Sequence, residues 1–170
     1  MAHALELYFD ADADDAVRAI WRAIDSPLIA AGARPHVSVA VAESCDADAL
    51  REALDFSRVH DLHIILESVD AFPGDKGVVF LRAEKSPALE ALQHDVWHHF
   101  VMRADQPREH YSPPHWIPHC TLAYGVADVR ETIAKCGASR LPIDARVTEI
   151  GLVDVTPSKV TTLWTEAAGR

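Results

Sequence analysis

Cysteine is scarce in this chain, which has three among its 170 residues. They stand at Cys45, Cys120 and Cys136, and no two of them form a CxxC spacing. An odd number without that spacing does not fit a disulfide framework. We therefore expect reduced thiols in a cytosolic protein.

Long apolar runs are missing as well. No stretch reaches the ~18 consecutive apolar residues of a membrane span. Residues 1–15 contain neither the basic region nor the apolar region of a signal peptide, so we expect a cytoplasmic protein without a membrane partner. Low-complexity tracts and short-period repeats are absent too, and residues 1–170 are predicted to form a single domain with a substantial core.

Positive charge is in short supply. The chain has 16 Lys and Arg against 26 Asp and Glu, which gives a net charge of −10. A protein that grips long nucleic acid through its phosphates needs a basic surface. The composition therefore argues against a long nucleic acid as partner, but it leaves room for a small phosphate ester or an RNA end in a local pocket.

What the chain does contain is a pair of strand-like segments, residues 34–41 and 117–124. Apart from their first residue, both read Pro-His-apolar-hydroxyl-apolar-Ala-apolar. Such alternation predicts a half-buried strand, in which successive side chains point to opposite faces. One face is then expected to carry His36, Ser38 and Ala40 in the first copy, and His119, Thr121 and Ala123 in the second.

A His-x-Ser/Thr triplet is a weak signal by itself, because ten histidines in a chain of this composition give about one chance match. A third match, residues 110–112, runs into two prolines and no alternating strand follows it, so we interpret it as the chance one. The other two also share the preceding Pro and the apolar-Ala-apolar run that follows. Their agreement makes the pair specific.

The coarse pattern along the chain predicts strands interspersed with few helices. Strands are expected at residues 5–10, 62–66, 78–83, 147–155 and 159–165 besides the two His strands, with a turn at 156–158 between the last two. Helices are expected from an acidic start at 10–15 to near Gly32, and at 46–56, 86–102 and 127–136. The four prolines in residues 106–118 predict an ordered loop. Clustered strands of this kind favour an α+β fold with mainly antiparallel sheets.

Two His-x-hydroxyl strands facing one another can perform acid–base chemistry on a phosphodiester. An imidazole titrates near ~6.5, so at neutral pH one of a pair can act as base and the other as acid. The hydroxyls of Ser38 and Thr121 can donate hydrogen bonds to the non-bridging phosphate oxygens. This chemistry requires neither a metal nor another cofactor. A Ser-His-Asp hydrolase is disfavoured, because the chain has no G-x-S-x-G motif.

The pair of motifs, His36-Val37-Ser38 and His119-Cys120-Thr121, resembles the signature of the two-histidine (2H) phosphoesterases, and more narrowly that of their 2′-5′ RNA ligase-like members. The likeness extends to the opening strand that ends in Phe9-Asp10, the turn at residues 72–74, the strand after it and the Trp116-Ile117-Pro118 lead-in. This resemblance implies a bilobal α+β fold, in which two pseudo-symmetric, mainly antiparallel sheets flanked by helices surround a central cleft.

The resemblance also implies an activity and roles. The expected reaction is metal-independent hydrolysis or transfer at cyclic (2′,3′-type) or 2′-5′ linked phosphodiesters of small nucleotides or RNA ends. Carried over residue by residue, His36 is the general acid, His119 is the general base, and Ser38 and Thr121 hold the phosphate. Ser38 departs mildly from the usual Thr but keeps the donor. We expect a monomer.

Two further residues are candidates for substrate binding. Tyr8 alternates away from its apolar neighbours and could stack on a base, although a rim tyrosine is an equally good interpretation. Arg34 adjoins the first motif and could bind a phosphate with two hydrogen bonds, although a solvated loop arginine is the commoner outcome.

Three other functions stay open at this point. The first is the reverse reaction, RNA ligation to a 2′-5′ bond. The second is a non-catalytic module that binds nucleotides or RNA ends, although pure binding does not need two titratable groups. The third is metal binding by His94, His98 and His99, because histidines at i and i+4 share a helix face. It is disfavoured because no further ligand of matching type lies near such a pair in the sequence. The sequence does not decide whether His110 or His115 reaches the cleft.

Overall fold

The computed structural model describes residues 2–155 and 158–166 of the chain. Within these ranges lie nine strands: β1 (His3–Phe9), β2 (His36–Ala42), β3 (Ser44–Cys45), β4 (His63–Ala71), β5 (Val79–Ala83), β6 (Ala104–Asp105), β7 (His119–Ala123), β8 (Ile143–Asp154) and β9 (Lys159–Thr165). The helices in the same ranges are α1 (Ala11–Ala23), α2 (Pro27–Ala30), α3 (Ala47–Ala53), α4 (Pro87–Val101) and α5 (Val129–Lys135).

Seven of the strands form one antiparallel sheet in the order β2-β1-β8-β4-β5-β7, with β9 paired to β8. The long strand β8 joins two halves, since its residues 147–154 pair with β1 and its residues 143–146 pair with β4. β2 and β7 are the first and last strands of this order. They nevertheless contact one another, so the sheet curls until its two end strands meet. The predicted α+β class with antiparallel pairing is confirmed, and the two expected sheets are halves of one.

Helices α1 and α4 supply much of the core that covers this sheet. The apolar stripe of α1 buries Val17, Ile20 and Trp21, as its helical spacing predicts. α4 begins at Pro87 after Ser86, whose side chain accepts a hydrogen bond from the Leu89 N–H. None of the helices described combines the length and the apolar character that crossing a bilayer requires.

The first predicted helix is interrupted rather than continuous to Gly32. α1 ends at Ala23, Asp25 has a φ of 51°, and the chain resumes helical structure only at Pro27. Ser26 causes part of this break, because its hydroxyl both accepts from the Leu28 N–H and donates to the Leu122 carbonyl at 2.6 Å. The interruption thereby fastens this segment to β7.

The boundaries of the other helices and strands differ less from the predicted ones. β8 begins at Ile143 instead of the predicted Val147, because its first residues pair with β4. The short β3–β6 pair was not predicted. α3 follows Asp46, whose carboxylate caps the helix by accepting from two backbone N–H groups. The turn predicted between β8 and β9 includes Thr156 and Pro157, which lie outside the described residues.

Candidate active site

The two His strands have the same pattern of burial. Over their first five residues, β2 and β7 both alternate between half-buried and buried side chains before a buried alanine. The residues between the motif positions, Val37 and Val39 in β2 and Cys120 and Leu122 in β7, are all 0% exposed. The faces predicted from the sequence are therefore confirmed: each histidine and its hydroxyl partner lie on the side away from the core.

Two tryptophan indoles donate hydrogen bonds to the backbones of the motif strands. The Trp116 indole, just before the second motif, donates to the Ser38 carbonyl of the first at 3.0 Å. The Trp21 indole of α1 donates to the Thr121 carbonyl of the second at 3.2 Å. In addition, the buried Cys120 thiol contacts the backbone of His36. The two motifs are thus held next to one another by hydrogen bonds to their backbones.

Both motif histidines are oriented by the same contact. Nδ1 of His36 lies 2.7 Å from the Arg34 carbonyl oxygen, and Nδ1 of His119 lies 2.7 Å from the Ile117 carbonyl oxygen. A carbonyl oxygen can only accept, so Nδ1 carries the hydrogen in each ring. This leaves Nε2 of both rings for chemistry, as acceptor in the neutral ring or donor in the charged one.

The surroundings of His36 are anionic. Its Nε2 lies 3.3 Å from Oε1 of Glu6, a residue of β1 that is only 8% exposed. Oε2 of Glu6 accepts a 2.7 Å hydrogen bond from the Tyr8 hydroxyl. Burial and the Glu6 carboxylate raise the pKa of Tyr8, so that hydroxyl stays protonated and keeps donating. A protonated His36 therefore has a fixed counter-ion.

The surroundings of His119 are aromatic. Its ring meets Phe72 edge-on at a centroid distance of 4.9 Å and Phe80 at 5.3 Å. Burial lowers the pKa of His119, and the neighbouring charges of His36 and His110 act in the same direction, although the hydrogen bond to the Ile117 carbonyl opposes them. His119 is consequently neutral at physiological pH.

The phosphate-binding candidates Ser38 and Thr121 are half-buried on the same face as their histidines. The Tyr111 side chain, from the Pro-rich loop, interacts with Ser38, and burial raises the pKa of this tyrosine. Gln93 holds the loop in place, since its buried amide donates to the Tyr111 carbonyl at 2.7 Å and to the Val39 carbonyl at 3.3 Å.

Arg34 and Tyr8 form a stack of their own. The Arg34 guanidinium carbon lies 3.7 Å from the centroid of the Tyr8 ring, and Nη2 of Arg34 donates to Oε2 of Glu149 at 2.7 Å. Tyr8 is only 2% exposed. The guanidinium therefore covers one face of the ring, and base stacking on Tyr8 stays a prediction.

The site includes residues that the sequence did not single out. Glu6 and Phe80 lie on strands whose pairing partners cannot be read from spacing alone, and Tyr111 lies in a single 3-10 turn, Glu109–Tyr111. His110 and His115 both lie near the site, because they line a pocket of about 80 Å³ with His119. Tyr111 was visible only as the middle residue of the discounted third triplet.

The remaining thiols and histidines form no second centre in the part of the chain described. Burial raises the pKa of Cys120 to about 12, which keeps this residue a thiol. His94 and His98 lie one turn apart on α4, and Nε2 of His99 is 3.8 Å from Asp95. Among the described residues, no three His, Cys, Asp or Glu side chains converge closely enough to hold a metal ion.

Comparison with known proteins identifies the family of the chain and structures of similar fold. The model of the 2′-5′ RNA ligase superfamily matches residues 9–157. The structure of Kluyveromyces marxianus Usb1 with uridine monophosphate aligns with a TM-score of 0.53 and 12% identity, covering 95% of this chain and 97% of that one. Another structure of the same yeast protein aligns over the same shares at 12% identity with a TM-score of 0.46. No curated protein sequence matches the chain. At such low identity the structural likeness concerns the fold alone.

Proposed function

Because the chain belongs to the 2′-5′ RNA ligase superfamily, we propose that it is a phosphodiesterase that hydrolyses cyclic (2′,3′-type) or 2′-5′ linked phosphodiesters of nucleotides or RNA ends. The observation that carries this proposal is a pair of like-oriented imidazoles in unlike surroundings. His36 adjoins the Glu6 carboxylate, whereas His119 packs edge-on against Phe72 and Phe80. One ring is suited to supply a proton and the other to accept one.

His119 acts as the general base in this proposal. Its lowered pKa keeps Nε2 unprotonated at neutral pH, ready to remove a proton from water. The water oxygen then attacks phosphorus, forming the new P–O bond. The hydrogen bond from Nδ1 to the Ile117 carbonyl keeps the ring in the tautomer that this step needs.

His36 acts as the general acid. As the bond from phosphorus to the leaving oxygen breaks, Nε2 of His36 donates its proton to that oxygen. Glu6 is the counter-ion of the charged ring, and at 3.3 Å the pair is longer than an ordinary N–H···O hydrogen bond, so the proton is not committed to the carboxylate. Tyr8 holds Glu6 in position. Transfer of one proton to His119 and one from His36 balances the reaction.

Ser38 and Thr121 complete the mechanism by donating hydrogen bonds to the non-bridging phosphate oxygens as negative charge accumulates there. Acid, base and oxyanion donors are then all supplied by side chains, so the mechanism needs no metal ion. A nucleotide is the favoured substrate class because the similarly folded Usb1 was solved with uridine monophosphate. Small size or a chain end is favoured because the net charge of −10 opposes long nucleic acid.

The test is a turnover assay of the purified protein with 2′,3′-cyclic nucleotides and 2′-5′ linked dinucleotides in excess EDTA. The proposal predicts hydrolysis that EDTA does not reduce. If the protein binds these nucleotides without converting them, it is a binding module. If supplied 2′,3′-cyclic and 5′-hydroxyl RNA ends are joined faster than the cyclic end is hydrolysed, it is a ligase.

A further inference from the structure

A large pocket opens beside His36, and its described lining does not include His119. Its volume is about 460 Å³, within the ~300–1,000 Å³ of typical ligand sites. Glu6 and His36 line it together with Arg34 and apolar side chains from the segment after α2 and from β8 and β9. The pocket that His119 lines measures about 80 Å³, below that range. The larger of these two spaces therefore adjoins His36, the residue proposed to protonate the leaving oxygen.

Exposed apolar side chains concentrate around this pocket. Tyr124 is 50% exposed, Val155 is 52% exposed and Val160 is 38% exposed. All three line the pocket, and they make up half of the six large apolar side chains that are exposed among the described residues. Clustered exposed apolar surface marks binding sites, and Tyr124 adds an aromatic ring at the end of the second His strand.

The charges around the pocket fit an uncharged group better than a second phosphate. Arg34 is already paired with Glu149, and Glu6 contributes a carboxylate. The cationic side chains in the described lining are thus Arg34, which has a partner, and His36, which the reaction uses. A flat, uncharged group with apolar faces, attached to a phosphate beside His36, has the chemistry of a nucleobase.

We infer that this pocket is the subsite for the nucleobase of the nucleoside whose oxygen receives the proton from His36, with Tyr124 as its stacking platform. The inference rests on the proposed function for the direction of proton transfer. In this inference Tyr124 is a specificity residue. Its side chain contacts the base, whereas the two histidines act at phosphorus.

The experiment compares two cyclic phosphodiesters that differ in the base. Uridine 2′,3′-cyclic phosphate carries a nucleobase, whereas glycerol 1,2-cyclic phosphate has the same five-membered ring without base or ribose. Stacking of a base on one aromatic side chain corresponds to about 5- to 150-fold in binding. Tyr124→Ala is therefore expected to lower kcat/KM for the nucleotide by that factor and to leave kcat/KM for the glycerol compound unchanged. Tyr124→Phe keeps the ring and is expected to match the wild type on both substrates. Met102→Ala, a truncation at a 60% exposed position on α4's C-terminal cap, is the surface control.

Equal losses on both substrates, or no loss on the nucleotide, would overturn the subsite. Calorimetric titration of the cyclic nucleotide into His119→Ala, with and without Tyr124→Ala, separates this inference from the proposed function. Binding that depends on Tyr124 in a protein whose wild type shows no turnover would contradict the function and keep the subsite. Binding that is indifferent to Tyr124, or no binding at all, would contradict the subsite whatever the turnover.

Discussion

Glu6 lies opposite Ser38 in the β1–β2 pairing, and its carboxylate reaches Nε2 of His36 at 3.3 Å. The equivalent position in the other half of the sheet, opposite Thr121 in the β5–β7 pairing, is held by Phe80. The two His motifs are therefore alike in sequence and backbone, but a carboxylate flanks one and an aromatic ring flanks the other. We attribute the division into acid and base to this difference.

Removing the Glu6 charge should impair the acid. In Glu6→Gln the imidazolium of His36 loses the carboxylate that lies 3.3 Å from its Nε2, so kcat/KM should fall by about tenfold across the pH range. The measurement is the pH–rate profile from pH 5 to 10. Glu67→Gln, at an exposed position of β4, is the charge-matched control and should leave the profile in place. An unchanged profile in Glu6→Gln would remove Glu6 from the mechanism.

The profile of the wild-type enzyme should be bell-shaped, with an acid limb below pH 6.5. The sign follows from the lowered pKa of His119: a base that holds its proton weakly is still unprotonated at mildly acidic pH. Phe72→Ala should let water reach this ring and move the acid limb up toward ~6.5. A flat profile between pH 5 and 8 would contradict a His acid–base pair.

The sequence predicted correctly the features that depend on local residue spacing. Alternation along β2 and β7 assigned the faces of His36 and His119 correctly, because period-two patterning needs no knowledge of partners. The sequence did not identify Glu6 as a site residue. The β2 residue that lies opposite Glu6 is set by a register shift between Leu5 and Glu6 in the β1–β2 pairing. Pairing between distant strands sets which side chains meet, and a single chain's spacing does not encode it.

The break between α1 and α2 was missed for a related reason. Apolar spacing continued through Ile24 and Leu28, which indicated one helix. The Ser26 hydroxyl instead bonds the Leu122 carbonyl, a contact across the fold that outweighs the local helical preference. The sequence pattern likewise does not show the role of Trp116, whose indole donates across the fold to the Ser38 carbonyl.

The Thr121 hydroxyl can be tested with two substitutions of similar size. Thr121→Val keeps the shape but removes the donor to phosphate, and loss of one oxyanion donor costs about 10²- to 10³-fold in kcat. Thr121→Ser keeps the donor and should stay close to the wild type. Steady-state kcat on a cyclic nucleotide is the measurement; equal rates for the two variants would show that the hydroxyl is not used.

Gly151 lies opposite Glu6 on β8, where a side chain would disturb the Tyr8 support. A Cβ at this position would come within 2.7 Å of Val160 Cγ1 and 3.0 Å of Tyr8 Cε2. Gly151→Ala should lower the free energy of unfolding by about 1–3 kcal/mol and reduce activity as well, because Tyr8 and then Glu6 are displaced. Denaturant unfolding and the turnover assay measure the two effects.

Gly137→Ala is the matched control, since a Cβ there meets nothing within 4 Å. It should leave both stability and turnover near the wild-type values. If Gly151→Ala likewise leaves both stability and turnover unchanged, the packing of Tyr8 against Gly151 does not position Glu6.

The central claim is that His36 and His119 together catalyse phosphodiester hydrolysis. Its most direct test is the turnover of a 2′,3′-cyclic nucleotide in EDTA by the wild type, His36→Ala and His119→Ala, with circular dichroism to establish that each variant is folded. The account predicts that either folded variant loses about 10²- to 10⁴-fold in kcat, the usual contribution of a general acid or base. A folded variant of either histidine that retains wild-type turnover would contradict it.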